Sequence, residues 1–211
     1  MEFEDVAAAK QAMRERILEG RGGLTDDELQ THAAGIAEQA LALPQLDAAE
    51  TVAAYYSIGS EPGTRAIVRT LLDSGRRVLL PIVLDDFDLD WAELTNPGDL
   101  ETAGRLGLQE PTGSRLGPDA TADADLLLCP GLAVDVTGAR LGRGAGCYDR
   151  ALARVDADTA RCIVVYDHEV VESVPTTRRD QKVNLAVTPT RTLPLGHRPS
   201  GLSVLRTDRR A

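Results

Sequence analysis

Asp125-Leu-Leu-Leu-Cys129-Pro130-Gly131-Leu-Ala-Val-Asp135, followed by Gly138-Ala-Arg140-Leu-Gly142-Arg143-Gly144-Ala145-Gly146-Cys147-Tyr148-Asp149-Arg150, is the stretch on which the reading of this chain turns. The run up to Cys129 is short and apolar and stops abruptly at Pro-Gly, as a central strand buried on both faces does. Three alternating glycines then lead into Tyr148 to Val155, which has helical spacing. Open parallel sheets are built from strand, loop and helix in this order, and their ligands bind beyond the carboxyl ends of the strands.

Working outward, Thr51 to Ile58 reads as a buried strand, Gly59 to Gly63 as a turn, Thr64 to Ser74 as a helix and Val78 to Pro81 as a second strand. That is the strand–helix–strand unit of a parallel sheet. Asp88 to Leu94 alternates as a strand or hairpin arm does. Thr95 to Thr121 is rich in Gly, Pro and Thr and reads as a long loop. Cys162 to Tyr166 and Asn184 to Thr188 complete the strands. Two helices open the chain. The first, Val6 to Leu18, is stopped by Gly20, Gly22 and Gly23. The second follows a Thr25-x-x-Glu28 capping box and ends before Pro44. With no repeat and no linker, residues 1–211 read as one α/β domain, with a loosely ordered tail from about 195 to 211.

Composition narrows the function. Apolar residues are 43% and charged residues 27%, ordinary for a globular chain. No apolar run nears the ~20 residues of a membrane helix. The acidic opening, Met1 to Asp5, lacks the order of a signal peptide, so a cytoplasmic protein without membrane association is expected. Three cysteines without a CxxC pair argue against disulfides and structural zinc. A net charge of −10 argues against nucleic-acid binding. An acidic protein that binds anions must gather cations and backbone N–H groups locally. The glycine loop does so, with Arg140, Arg143 and the start of a helix. It matches neither a dinucleotide fingerprint nor a Walker A loop. On the residues alone, a flexible turn with solvated arginines competes with a phosphate cradle.

Cys129-Pro-Gly-Leu-Ala-Val-Asp135 and Leu141-Gly-Arg-Gly-Ala-Gly-Cys-Tyr-Asp149 together resemble the signature of the 5-formyltetrahydrofolate cyclo-ligase family. Lys10-x-x-x-Arg14, Ser57 to Glu61, Gly107 to Pro111 and Pro175 to Asp180 follow in the family's order, and the resemblance spans about residues 6 to 190. It implies a single three-layer α/β/α domain with a mostly parallel, Rossmann-like sheet. It also implies conversion of 5-formyltetrahydrofolate and MgATP to 5,10-methenyltetrahydrofolate, ADP and phosphate. The formyl oxygen would attack the γ-phosphate, and N10 would then attack the activated carbon as phosphate leaves.

The resemblance assigns ATP to Lys10, Arg14, Arg140, Leu141, Gly142, Arg143, Gly144, Ala145, Gly146, Cys147 and Tyr148. It assigns the folate to Tyr56, Glu61 and the shared stretch Arg143, Gly144, Ala145, Gly146 and Cys147. Arg143 and Tyr148 are the expected catalytic residues, and Asp149 and Asp180 the expected Mg²⁺ carboxylates. The partners expected are these two small molecules, the folate with or without further glutamates, and the chain is expected to be a monomer. A non-catalytic folate or nucleotide binder on the same fold is the alternative, disfavoured by the joint presence of these charged residues. A phosphosugar isomerase on a similar sheet is a third reading, one that needs no ATP.

Four residues depart from the family pattern: Cys147 replaces a Tyr, Ala145 a Gly or Lys, Glu169 a Gln, and Asn184 an Asp that would support the metal. Cys147 stands at a helix mouth near Arg143, which predicts a lowered thiol pKa, whereas Cys129 and Cys162 in buried strands are expected to be inert. Asp85 to Asp90 imitates a calcium loop but has Trp91 at the glycine position, so a solvated strand turn is expected. His32, His168 and His197 are scattered and are assigned to no metal.

Overall fold

The computed structural model of the protein describes residues 2–103, 107–156 and 158–196. His197 and the expected loose tail, apart from Leu195 and Gly196, lie outside the described residues. The chain opens with helices α1 (Glu2–Gly22), α2 (Asp26–Leu41) and the short α3 (Pro44–Ala48). Thr25 caps α2 in a complete capping box with Glu28. Pro44 starts α3 rather than merely ending α2, since its missing N–H costs nothing in a first turn. Helix α1 runs past Gly20 despite a propensity cost of about 1 kcal/mol per glycine. The side chain of Arg21 in its last turn is anchored in the interior.

Next come β1 (Thr51–Ala53), α4 (Arg65–Asp73), β2 (Arg77–Val83), β3 (Leu89–Leu94), β4 (Leu100–Ala103), β5 (Leu108–Pro111) and β6 (Leu126–Pro130). The chain then forms β7 (Ala133–Asp135), β8 (Arg140–Leu141), α5 (Cys147–Arg154), β9 (Ala160–Val164), β10 (Val170–Val171), β11 (Leu185–Val187) and β12 (Thr192–Pro194). Seven strands form the main sheet in the order β12-β11-β9-β6-β1-β2-β3. The five central strands are parallel, while β12 and β3 are antiparallel at the edges.

Side chains sort onto the two faces with the period of two that a pleat imposes. Val52, Val78, Leu80, Leu126, Leu128, Cys162 and Val187 pack with Ile36 of α2, Leu46 of α3 and Ile67 and Leu71 of α4. Ala53, Leu79, Trp91, Leu127, Cys129, Ile163 and Ala186 pack with Ala151 and Leu152 of α5. The result is the three-layer α/β/α arrangement with a mostly parallel sheet that the sequence implied. Among the described residues no helix is long and apolar enough to cross a membrane.

Three expectations change in detail. The strand from Thr51 stops at Ala53 because side chains capture the backbone beyond it. Thr64 Oγ1 donates to Tyr55 O, and Ser57 and Thr64 exchange N–H to hydroxyl bonds of 3.1 and 3.0 Å. The long loop after Thr95 contains the β4–β5 ribbon and a 3-10 turn over Pro118–Asp123, elements whose glycines and prolines mask them in sequence. Asp135 to Ala139 makes a turn between β7 and β8, strands too short to show a period in sequence, and β10 joins them in a small second sheet. Asp135, buried, accepts from the N–H groups of Thr137, Ala139 and Val174. Gly138 there has φ +82°, and a Cβ would lie 2.1 Å from Val183 O, so no other residue fits. Helix α1 packs Ile17 on this sheet, against Leu132, Ala133, Ala139 and Leu141.

Candidate functional site

Strands β6 and β1 end side by side, and the residues singled out in the sequence lie beyond those ends, around the loop Gly142–Gly146 between β8 and α5. Gly144 and Gly146 adopt positive φ, +113° and +74°. Gly146 is the N-cap of α5 and supplies no side chain to the free N–H groups of its first turn. Among the described residues, none of the N–H groups of Gly142 to Gly146 has a hydrogen-bond partner. Free donors ahead of a helix N-terminus are the anatomy of an anion site.

Helix α1 brings its i, i+4 pair to this loop. Arg14 Nε donates to Gly142 O at 2.9 Å, and its guanidinium lies 3.5 Å from where a Cβ on Gly144 would be. Lys10 Nζ donates to both oxygens of Asp180 at 2.7 and 2.6 Å. Burial opposes ionisation of Asp180, but the bonds from Lys10 and from Thr177 outweigh it and hold the carboxyl below the usual range. Gln181 N donates to Asp149 Oδ1 at 3.1 Å, so the segment carrying Asp180 and the start of α5 meet.

Arg140 sits beneath the loop rather than in it. It belongs to β8, is 4% exposed, and donates from Nη2 to Asp149 Oδ1 at 2.8 Å. Leu141 is buried as well, which leaves its backbone alone to face a ligand. Arg143 is 58% exposed and reaches across to Glu61, Nη2 to Oε1 at 3.3 Å. Glu61 is in turn held by the N–H of Ile58 at 3.1 Å. Tyr148 is half-buried and packs against the cores on both faces of the sheet, but its hydroxyl is buried without a partner among the described residues. Burial, with Cys129 and Glu61 nearby, holds its pKa well above the ordinary tyrosine value, so it remains a donor at neutral pH. Tyr56 stands apart from these contacts, half-buried, with the Arg65 guanidinium 5.0 Å over its ring.

Mg²⁺ characteristically takes one or two carboxylates and completes its shell with phosphate oxygens and water. Asp149, with Oδ2 unengaged among the described residues, suits that role. Asp180 suits it on releasing Lys10. Among the described residues no three His, Cys, Asp or Glu side chains gather into a cage.

Two expectations about the departures are overturned. The Cys147 thiol pKa is raised, not lowered. Burial of the half-covered side chain outweighs Arg150 and the backbone N–H. Cys129, fully buried, is pushed up to about 11, and Cys162 further. Asn184 spends its side chain on backbone groups and not on Asp149 or Asp180. It binds Arg161 N at 2.8 Å and Thr159 O at 3.1 Å at the amino end of β9, opposite the glycine loop. The expected solvated turn after β2 carries an ion-pair cluster, in which Asp88 is held by Arg154 at 2.9 and 2.6 Å.

Sequence reasoning missed the ion pair of Arg21 and Glu169. Both are buried, with Nε to Oε1 at 2.7 Å and Nη2 to Oε2 at 2.8 Å. Arg21 also donates to Gly131 O at 2.7 Å, and Glu169 accepts from Tyr166 N at 2.8 Å. The pair ties α1 to the ends of β6 and β9 behind the site. Nothing in sequence joins residues 148 positions apart. An acid in place of the family's Gln at 169 was the available signal.

The profile of the 5-formyltetrahydrofolate cyclo-ligase family matches residues 6–189. The 5-formyltetrahydrofolate cyclo-ligase of Mycolicibacterium smegmatis is 42% identical over 146 residues, covering 67% of this chain and 74% of that one. The enzyme of that name from Escherichia coli K12 is 29% identical over 178 residues, covering 83% and 97%. The structure of Aquifex aeolicus 5,10-methenyltetrahydrofolate synthetase superposes with a TM-score of 0.77 at 28% identity, covering 94% of this chain and 99% of that one. With its glycine loop, its α1 cations and its fold in agreement, this chain belongs to the 5-formyltetrahydrofolate cyclo-ligase family.

Proposed function

We propose that this protein converts 5-formyltetrahydrofolate and ATP, with magnesium, to 5,10-methenyltetrahydrofolate, ADP and phosphate. The observation that carries the proposal is the Arg143–Glu61 contact of 3.3 Å. It joins the loop suited to phosphates to the carboxylate beyond β1, which suits the amino and ring N–H donors of a pterin. A formyl oxygen can meet a γ-phosphoryl group where those two ligands adjoin.

The roles follow from the contacts. The free N–H groups of Gly142 to Gly146, including Ala145, and the first turn of α5 with Cys147, receive phosphate oxygens. Arg14, held by Nε, has terminal nitrogens for the same anion, and Lys10, once released by Asp180, supplies a second cation beside it. Arg140 acts through Asp149, whose orientation it fixes. Asp149 and Asp180 would hold Mg²⁺, which would neutralise phosphate charge. The long, exposed bond between Arg143 and Glu61 costs little to release. Arg143 can therefore follow charge onto the transferring phosphoryl group. Phosphorylation makes the formyl oxygen part of a leaving group. N10 attacks the same carbon, the C–O bond to phosphate breaks, and the N10 proton leaves with the departing phosphate beside the Tyr148 hydroxyl. Attack within one bound molecule gains from orientation, by up to roughly 7–11 kcal/mol in the best cases. Tyr56 and Glu61 set that conformer. In this reading the protein acts as a monomer in the cytoplasm.

The test is direct. The protein is mixed with 5-formyltetrahydrofolate and MgATP, and the absorbance of methenyltetrahydrofolate is followed. Product that requires ATP supports the reading. No product, or product without ATP, overturns it.

A further inference from the structure

A cavity of about 280 Å³ opens beside Tyr56, lined by Tyr56, Arg65, Ala66, Val68, Arg69 and Pro97. Pockets for whole drug-sized ligands run from roughly 300 to 1,000 Å³, so this one suits a single arm of a ligand rather than all of it. The protein carries a net charge of −10, yet this wall has two guanidinium groups and no carboxylate. Arg65 spends Nε on Ser57 O at 2.9 Å and lies over the Tyr56 ring. Its two terminal nitrogens have no acceptor among the described residues. Arg69 is exposed, and Asp73 takes only its Nε, at 3.1 and 3.2 Å. A molecule whose donor-bearing end rests on Glu61 can run past Tyr56 into this groove, because Tyr56 and Glu61 flank the same short loop after β1.

We infer that the groove receives the glutamate end of the folate, with Arg65 and Arg69 pairing its carboxylates and Tyr56 lying along the uncharged linker. The inference rests on the proposed reaction and adds to it residues that set preference for an acidic tail. Planar guanidinium forks suit carboxylates, and a partly exposed pair is screened rather than buried, so the preference is moderate.

The test compares 5-formyltetrahydrofolate with its glutamate-free counterpart, 5-formyltetrahydropteroate. Both are measured in steady-state turnover with MgATP and by calorimetry without ATP. The wild-type protein should favour the glutamate-bearing compound by about tenfold in KM and Kd, two exposed charge-assisted contacts' worth. Arg65→Gln/Arg69→Gln should treat the two compounds alike. Since Arg65 also braces Ser57, Arg69→Gln alone is the control for misfolding, and it should lose part of the preference. Equal KM and Kd for the two compounds in the wild type, or a preference that the double variant keeps, overturns the groove assignment. Discrimination in Kd without ATP-dependent turnover would refute the proposed reaction and uphold the groove. Turnover without discrimination refutes the groove alone.

Discussion

Glu169→Leu should be among the most damaging single substitutions in this protein outside the apolar core. The side chains of Arg21 and Glu169 are 2% and 0% exposed. The change removes the acceptor for both Arg21 bonds and for Tyr166 N–H, and leaves a guanidinium buried with Gly131 O as its remaining hydrogen-bond acceptor. Breaking a buried pair from one side costs about 3–5 kcal/mol. At about 2–4 °C of Tm per kcal/mol for a chain of this size, the midpoint should fall by roughly 6–20 °C. Arg21→Met should cost a similar amount, by leaving the carboxylate unpaired. The double variant carries no buried charge and leaves Gly131 O and Tyr166 N–H unsatisfied, at about 1–3 kcal/mol each. It should therefore lose roughly 2–6 kcal/mol, about what one single variant loses and well short of the sum of the two. Urea melts followed by circular dichroism give the three free energies, and the cycle should show coupling of at least about 2 kcal/mol. Losses that add within about 0.5 kcal/mol, or a single variant costing under about 1 kcal/mol, would show that the two charges are not buried against each other.

Asp149→Asn should nearly abolish turnover at limiting Mg²⁺ and lower stability, because it removes the charge opposite buried Arg140; near-normal turnover across a Mg²⁺ titration would sink the metal assignment. Arg143→Ala should lower kcat more than it raises the KM for ATP, and an unchanged kcat in steady-state assays would make it a ground-state binder. Maleimide should label Cys147 ahead of Cys129 and Cys162 because it alone is partly exposed, with slow labelling at neutral pH that quickens as pH rises. MgATP and folate together should protect it, and peptide mapping that finds no protection would move the loop away from the ligands. The Asp180 carboxyl is held below its usual range, so the stability it contributes is full above the unfolded value of about 3.9 and is lost as pH falls through the folded pKa. The gap between wild type and Asp180→Asn in thermal melts should be steady from neutral pH down to about 5 and close at lower pH, and a gap that persists in acid refutes the Lys10 link.

Periodicity and punctuation are local, and what they control was readable. The apolar runs at 126–129 and 162–164 became adjacent parallel strands, and the Thr25–Glu28 capping box formed as written. The spacing of the glycines placed two positive φ values at the mouth of α5, because only glycine adopts them without strain. Lys10 and Arg14 were found by the family pattern and not by their chemistry, since an i, i+4 basic pair looks the same on any solvated helix. Tertiary structure alone decided which partner each charge would have. Arg140 and Arg143 are three residues apart in one motif, yet one is buried under the loop against Asp149 and the other reaches Glu61 from the surface. Cys147 stands where a helix end and arginines favour a thiolate, but the packing around it raised its pKa. Asn184 lies four residues from Asp180, yet its side chain is spent on the backbone at the amino end of β9. Burial and long-range pairing depend on how layers close over one another, and desolvation, which sets the strength and sign of these effects, has no signature in the order of residues.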